Sequence, residues 1–79
     1  MELKDFMKIF MPSLWESACY WSALKYNIRA GKKEGESFEK DLGKRDDYIE
    51  EIVGSDLVNQ ELIKKELSTI KENFEKWKG

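Results

Sequence analysis

The side chains that most often carry enzyme chemistry are scarce in this chain of 79 residues. It has no histidine, so the commonest general base near neutral pH is missing. It also has a single cysteine, Cys19, so neither a disulfide nor a cysteine-pair zinc site can form within the chain. Cys19 lies among aromatic residues and alanines, where burial would raise its pKa and reduce its reactivity. We therefore expect no enzymatic activity, no metal site and no cofactor.

Carboxylates are concentrated in one short stretch, where they form two like-charge pairs with a spacing of four residues. They are Asp46, Asp47, Glu50 and Glu51. On a helix each pair brings two negative charges together, at a cost of a few tenths of a kcal/mol. Because no local gain offsets this cost, we interpret the four residues as an acidic patch that orients a basic partner protein. The alternative is a solvated acidic face, relieved by neighbouring lysines.

Three cations, Arg29, Lys32 and Lys33, gather where the longest apolar stretch of the chain ends. They could contact nucleic acid, as in a transcriptional regulator, or simply complement the negative end of a helix dipole. The formal net charge of the whole chain is only -2. This balance argues against general nucleic-acid binding, so we treat it as the alternative function.

The spacing of the apolar residues from Phe38 to Gly54 resembles a DNA-binding helix-turn-helix, with Gly43 at the turn. Two positions depart from that pattern, because Glu39 replaces a small residue and Lys44 replaces an apolar one. The acidic patch would also lie on the recognition helix, where it would repel phosphates. Sequence-specific DNA binding is therefore not expected.

The stretch from Ser13 to Ala30 organises the rest of the chain. Ser13 and Glu16 match a capping box, and Gly31 stands where a left-handed residue would end the helix. At 100° per residue, two apolar stripes lie on nearly opposite sides of this predicted helix. One consists of Leu14, Ala18, Trp21, Leu24 and Ile28, and the other of Trp15, Cys19, Ala23, Tyr26 and Ala30.

Two apolar stripes mean that this helix is covered on both sides. Either its own chain covers both stripes, or one stripe packs internally and the other meets a second molecule. In the second case we assign the more aliphatic Leu14 stripe to the core. We assign Trp15, Cys19 and Tyr26 to the partner interface, because small residues mixed with amphipathic aromatics suit interfaces.

Three further helices are predicted around the central one. Residues 1–11 form a short amphipathic helix ended by Pro12, whose apolar face docks on the fold or on another subunit rather than on a membrane. Ser37 starts a helix over residues 38–53, with a break plausible at Gly43. The last helix starts at Ser55 or Asp56, and its apolar face is made of Ile63, Leu67, Ile70, Phe74 and Trp77.

Together these patterns predict an all-α fold, a compact bundle of three to four helices with a central two-faced helix, in one domain spanning residues 1–79. The favoured function is non-enzymatic protein binding by a small regulator or inhibitor, compatible with a virus or mobile element. We expect it to self-associate, most simply as a homodimer. A purely structural assembly subunit is the further alternative. One free thiol, no apolar run of membrane-spanning length and no secretory signal indicate a cytoplasmic protein.

Overall fold

Four helices follow one another along the chain, joined by short connections. The computed structural model describes residues 2–32, 35 and 37–79. The helices are α1 (Leu3–Phe10), α2 (Pro12–Arg29), α3 (Phe38–Val53) and α4 (Leu57–Lys78). Within the described residues there is no strand. The predicted all-α bundle is therefore confirmed, with four helices.

Side chains at the starts of α3 and α4 cap them as the sequence predicts. The Ser37 hydroxyl accepts a hydrogen bond from the backbone N–H of Lys40 at 2.9 Å. The Asp56 carboxylate accepts one from the backbone N–H of Asn59 at 3.1 Å. Each bond satisfies one of the amide donors that a helix start leaves without a partner inside the helix.

The start of α2 differs from the prediction. This helix begins at Pro12, with Met11 at the capping position and no side-chain capping bond. The predicted Ser13 capping box was therefore wrong. Proline suits the first turn of a helix because its φ is already helical and its missing N–H would have no partner inside the helix.

Glycines have opposite roles at two points of the fold. Gly31 takes a φ of +80° after α2, which confirms the predicted left-handed residue. Gly43 lies inside α3, which continues through it without a break. Because there is no turn at Gly43, the resemblance to a helix-turn-helix does not extend to the structure.

The core lies where α2, α3 and α4 meet. Its buried cluster consists of Ala23 from α2, Ile49 from α3, and Ile63 and Leu67 from α4. Half-buried residues pack around this cluster, among them Tyr20, Leu24, Tyr48, Ile52 and Val53. Since α2 contacts each of the other three helices, its predicted central position is confirmed.

The most deeply buried residues of α2 lie on the stripe that the sequence analysis assigned to the partner interface. Cys19 and Ala23 are fully buried, whereas Leu14 and Trp21 are 56% and 65% exposed. The assignment of the Leu14 stripe to the core was therefore wrong at Leu14 and Trp21, although Leu24 of the same stripe packs against the core cluster. Helices approach one another closely where side chains are small, so α3 packs along the stripe that carries the cysteine and alanines. The bulkier stripe is left partly in solvent.

The last helix extends beyond the core. It has 22 residues, or about 33 Å of helix, against a longest molecular dimension of 40 Å. Ile63 and Leu67 are buried, but Ile70 is exposed and Trp77 is 82% exposed. Only the first half of the predicted apolar face of α4 is therefore buried. The extension agrees with a radius of gyration of 13.5 Å, above the roughly 12 Å typical of a compact chain of this length.

Candidate protein-binding surface

Lysines of α1 tie this helix to α3. The Lys8 ammonium lies 2.9 Å from the Glu51 carboxylate, and the Lys4 ammonium lies 3.7 Å from it. These two lysines are one turn apart and therefore lie on the same side of α1. The charged side of α1 thus faces the bundle.

The ion pair between Lys8 and Glu51 changes the pKa of both groups. The hydrogen bond from Lys8 lowers the pKa of the Glu51 carboxyl below its ordinary value. The same bond raises the pKa of the Lys8 ammonium. Both shifts favour the charged pair, so α1 is held to α3 most firmly when both groups are ionised.

The apolar side of α1 faces solvent. Leu3, Phe6 and Phe10 project within about 60° of one another and are all exposed, and we call these three residues the α1 face. The rings of Phe6 and Phe10 lie 4.9 Å apart, centroid to centroid, at an angle of 40°. No residue of α1 is buried. Met7, the other apolar residue of the predicted face, is half-buried, so the expected docking of this face on the chain's own fold is observed only at Met7.

Two residues of the predicted interface stripe face the interior. Cys19 is fully buried, and burial raises the pKa of its thiol, so it cannot contact a partner in this conformation. Trp15 is half-buried, and its ring lies 5.7 Å from the Lys8 ammonium. Its indole N–H is buried and has no acceptor among the described residues. The assignment of Cys19 to a docking surface was thus wrong, because the small stripe packs against α3.

Tyr26, the third residue of the predicted interface, joins α2 to α3. Its ring stacks on that of Tyr48, with centroids 6.1 Å apart and ring planes 13° apart. Three cations surround this ring: the charged groups of Lys25, Arg29 and Lys44 lie 5.0, 5.5 and 5.2 Å from its centroid. Cations on an aromatic face are attracted by the ring quadrupole. Tyr26 therefore contributes to packing between the two helices.

In the part of the chain that the structure describes, two of the four predicted acidic-patch residues form ion pairs with cations. Asp46 pairs with Arg45 at 2.9 Å, and Glu51 pairs with the α1 lysines. Asp47 and Glu50 are exposed, and they line a shallow cleft beside Gly54. The charge that this patch offers to a partner is therefore carried mainly by Asp47 and Glu50.

The predicted basic cluster is partly neutralised in the structure. Arg29 lies 3.9 Å from the buried carboxylate of Asp41, and Lys32 pairs with Glu75 of α4. Lys33 lies outside the described residues. Two of the three cations thus connect helices, which weakens the case for a phosphate-binding site formed by them.

Two buried polar residues were missed from the sequence. Asn27 accepts a hydrogen bond from Arg45 at 2.8 Å, and Asp41 is fully buried beside Arg29. For Asp41 the sequence contained a signal of this position. Asp41 lies seven residues before Tyr48, which places the two residues two helical turns apart on the same face of α3. Both residues link α2 to α3 and so position the core rather than a surface.

The described residues contain neither a cluster that could hold a metal ion nor a helix that could cross a membrane. Residues 2–32, 35 and 37–79 contain no group of three or more cysteine or carboxylate side chains placed to hold a metal ion. None of the four helices in that part of the chain has the length and apolar character to cross a membrane.

The four helices form a small all-α protein. Part of its exposed apolar surface lies on α1. The chain belongs to the DUF3310 family, described as a protein of unknown function, whose sequence profile matches residues 1–50. The matched residues include all of α1 and α2 and most of α3, so the α1 face lies within them.

Relatives of the chain come from phages. It is 35% identical to the SaV protein of Lactococcus phage p2 over 88 aligned residues, covering all of this chain and 67% of that protein. It is 44% identical to the SaV protein of Lactococcus phage SK1 over 55 residues, covering 66% of this chain and 41% of that protein. No solved structure matches the chain.

Proposed function

We propose that this chain is a non-enzymatic protein-binding module, a small regulator or inhibitor of phage origin that docks on a partner protein through the α1 face. The acidic side chains of Asp47 and Glu50 would orient a basic partner as it approaches. Docking on the α1 face replaces the stripe proposed from the sequence, since the Cys19 side of α2 is covered by α3.

The orientation of α1 carries this proposal. An amphipathic helix on a small protein ordinarily turns its apolar side to the core, which lowers its free energy. Here the lysines face the bundle, and Leu3, Phe6 and Phe10 face water. Exposed aromatic residues grouped on one face are typical of protein-binding surfaces, where aromatic side chains often supply much of the binding energy.

The relatives support the phage origin in this proposal, because each is a protein named SaV encoded by a Lactococcus phage. A phage protein of this class would meet its partner inside the infected cell. The one thiol of the chain is free and buried, which suits the reducing cytoplasm. A cytoplasmic site of action is therefore part of the proposal.

The proposal is tested by partner capture with the Phe10→Glu variant. Phe10 is 64% exposed, so a glutamate there should leave the fold intact while placing a charge on the α1 face. Wild-type and variant proteins are immobilised and incubated with lactococcal lysate. A captured protein is identified by mass spectrometry and purified, and its Kd for each chain is measured by calorimetry. Loss of an aromatic anchor of about 2 kcal/mol corresponds to a roughly 30-fold rise in Kd.

Trp77→Glu is the matched control, since it also replaces an exposed aromatic residue with glutamate, but at the far end of α4. The control should bind as wild type does. Equal Kd values for the Phe10→Glu variant and wild type would refute docking through the α1 face. Binding that instead weakens steeply with salt and needs DNA or RNA would favour the nucleic-acid alternative.

A further inference from the structure

A cavity of about 360 Å³ opens where α1, α2 and α3 meet, and we call it the interhelix cavity. Its volume falls within the range of sites that bind small molecules. Three of its lining residues are aromatic and four are charged: Trp15, Tyr26 and Tyr48, and Lys4, Lys44, Asp47 and Glu51. Such a lining suits a ligand that carries both a flat ring and ionised groups.

The three aromatic residues form one side of the interhelix cavity, which we call the aromatic wall. Trp15 and Tyr26 are three helical turns apart, about 16 Å, so both project from the same side of α2. All three residues are half-buried, which leaves part of each ring open to the cavity. The rings of Tyr26 and Tyr48 are already in contact, with centroids 6.1 Å apart, so no third ring fits between them. A ligand ring would therefore pack against the outside of this pair or against Trp15.

Two lysines and two carboxylates line the interhelix cavity, so its formal charge is zero. Lys4 and Glu51 lie 3.7 Å apart and compensate each other. Lys44 and Asp47 are three residues apart and project from the same side of α3. Among the residues that the structure describes, however, neither of them forms an ion pair, and the Lys44 ammonium lies 5.2 Å from the centre of the Tyr26 ring. One ammonium and one carboxylate are thus available to a ligand beside the aromatic wall.

We infer that the interhelix cavity binds a free aromatic amino acid. The α-carboxylate of this ligand pairs with Lys44, and its α-ammonium pairs with Asp47. Its ring packs on the aromatic wall, where aromatic surfaces attract one another beyond the burial of their area. The ligand thus uses the two charges that the chain leaves without an ion pair.

The balance of charges in the interhelix cavity selects a zwitterion over other ring-bearing ligands. A mononucleotide has a flat base, but its phosphate would bring negative charge towards Asp47 and Glu51. A purely cationic ligand would be repelled by Lys4 and Lys44 in the same way. An amino acid has no net charge, and each of its ionised groups meets an opposite charge.

Titration of the isotopically labelled protein with L-phenylalanine, followed by NMR, tests the inference. We expect a Kd of about 1 mM, because the ligand is small and the charges that it meets are partly exposed to water. The amide signals of Tyr26, Lys44 and Asp47 should shift together and saturate by about 20 mM. The indole signal of Trp15, assigned with the Trp15→Phe variant, should shift with them.

Two analogues of phenylalanine show whether both charges of the ligand are used. Hydrocinnamate lacks the ammonium, and phenethylamine lacks the carboxylate. Each should bind about fivefold more weakly than phenylalanine, since each loses one charge pair. Adenosine monophosphate, which carries a ring and a phosphate, should also bind more weakly.

Variants of the two unpaired charges locate the ligand. Asp47→Asn and Lys44→Gln should each raise the Kd for phenylalanine about fivefold. Glu39→Gln is the matched control, because Glu39 is an exposed carboxylate of α3 outside the cavity, and it should bind as wild type does. Charge reversal should change the selectivity: Asp47→Lys should prefer hydrocinnamate to phenethylamine, and Lys44→Glu should prefer phenethylamine. Circular dichroism checks that all variants stay helical.

Any of three results would overturn the inference: no saturable shift with phenylalanine, an analogue or adenosine monophosphate that binds as tightly, or unchanged Kd values for Asp47→Asn and Lys44→Gln. The inference does not depend on the proposed function, because the titration uses the purified chain without a partner protein. A chain that binds its partner through the α1 face but does not bind phenylalanine would refute the amino-acid site alone.

Discussion

Replacing Leu67 with alanine should destabilise the chain severely, because this side chain lies in the core with 1% of its surface exposed. Removing a fully buried leucine side chain and leaving a cavity costs about 3 kcal/mol or more. A chain of 79 residues has a total stability of roughly 4–12 kcal/mol. The substitution should therefore remove a quarter to three quarters of the total stability. With an unfolding entropy near 0.17 kcal/mol/K, Tm should fall by about 18 °C.

Leu14→Ala is the matched control, since it makes the same chemical change in the stripe that the sequence assigned to the core. Leu14 is 56% exposed, so its loss should cost less than about 1 kcal/mol. Urea titration followed by circular dichroism at 222 nm measures both variants. A Leu14→Ala variant that loses as much free energy of unfolding as Leu67→Ala would show that the stripes of α2 have the roles read from the sequence. It would also contradict the packing described here.

Two smaller predictions concern α1 and the glycines. The carboxyl of Glu51 has a folded pKa below its ordinary value of 4.5, so its stabilising effect is present above pH 4.5 and is lost as pH falls through the folded pKa. Glu51→Gln should therefore flatten the loss of stability on acid titration. Gly31→Ala should cost about 1 kcal/mol because Gly31 has a φ of +80°, whereas Gly43→Ala should stabilise α3 by up to about 1 kcal/mol because a Cβ there meets open space. Thermal unfolding checks that Gly31→Ala lowers the stability and that Gly43→Ala raises it. A Gly31→Ala variant as stable as wild type would contradict the expected backbone strain at this position.

The helices could be predicted because the sequence features that mark them, their caps and their apolar periodicity, depend on residues close together in the chain. Ser37 and Asp56 cap the helices that they were expected to start, and Gly31 takes its left-handed conformation within a few residues of the end of α2. Each of these effects depends on neighbours in sequence, and so does the apolar periodicity that marks a helix. Four helices and a central α2 follow from such information.

The packing was not predictable in the same way, because it depends on residues that are distant in sequence. Periodicity shows that α2 has two apolar stripes, but the choice between them depends on how closely α3 approaches Ala23. The orientation of α1 depends likewise on Glu51, which α3 places beside Lys8. The part of the predicted docking surface at Cys19 was therefore misplaced, because Cys19 is buried.

The attachment of α1 has a consequence for the response of the molecule to ionic strength. No residue of α1 is buried, and within the described residues its charged groups contact other helices at Glu51, through Lys4 and Lys8, and at the Trp15 ring, through Lys8. Added salt shortens the Debye length from about 10 Å at 0.1 M to about 3 Å at 1 M. This screening weakens exposed ion pairs but does not weaken the apolar packing of the core. High salt should therefore weaken the attachment of α1 to α3, while the other three helices stay packed together.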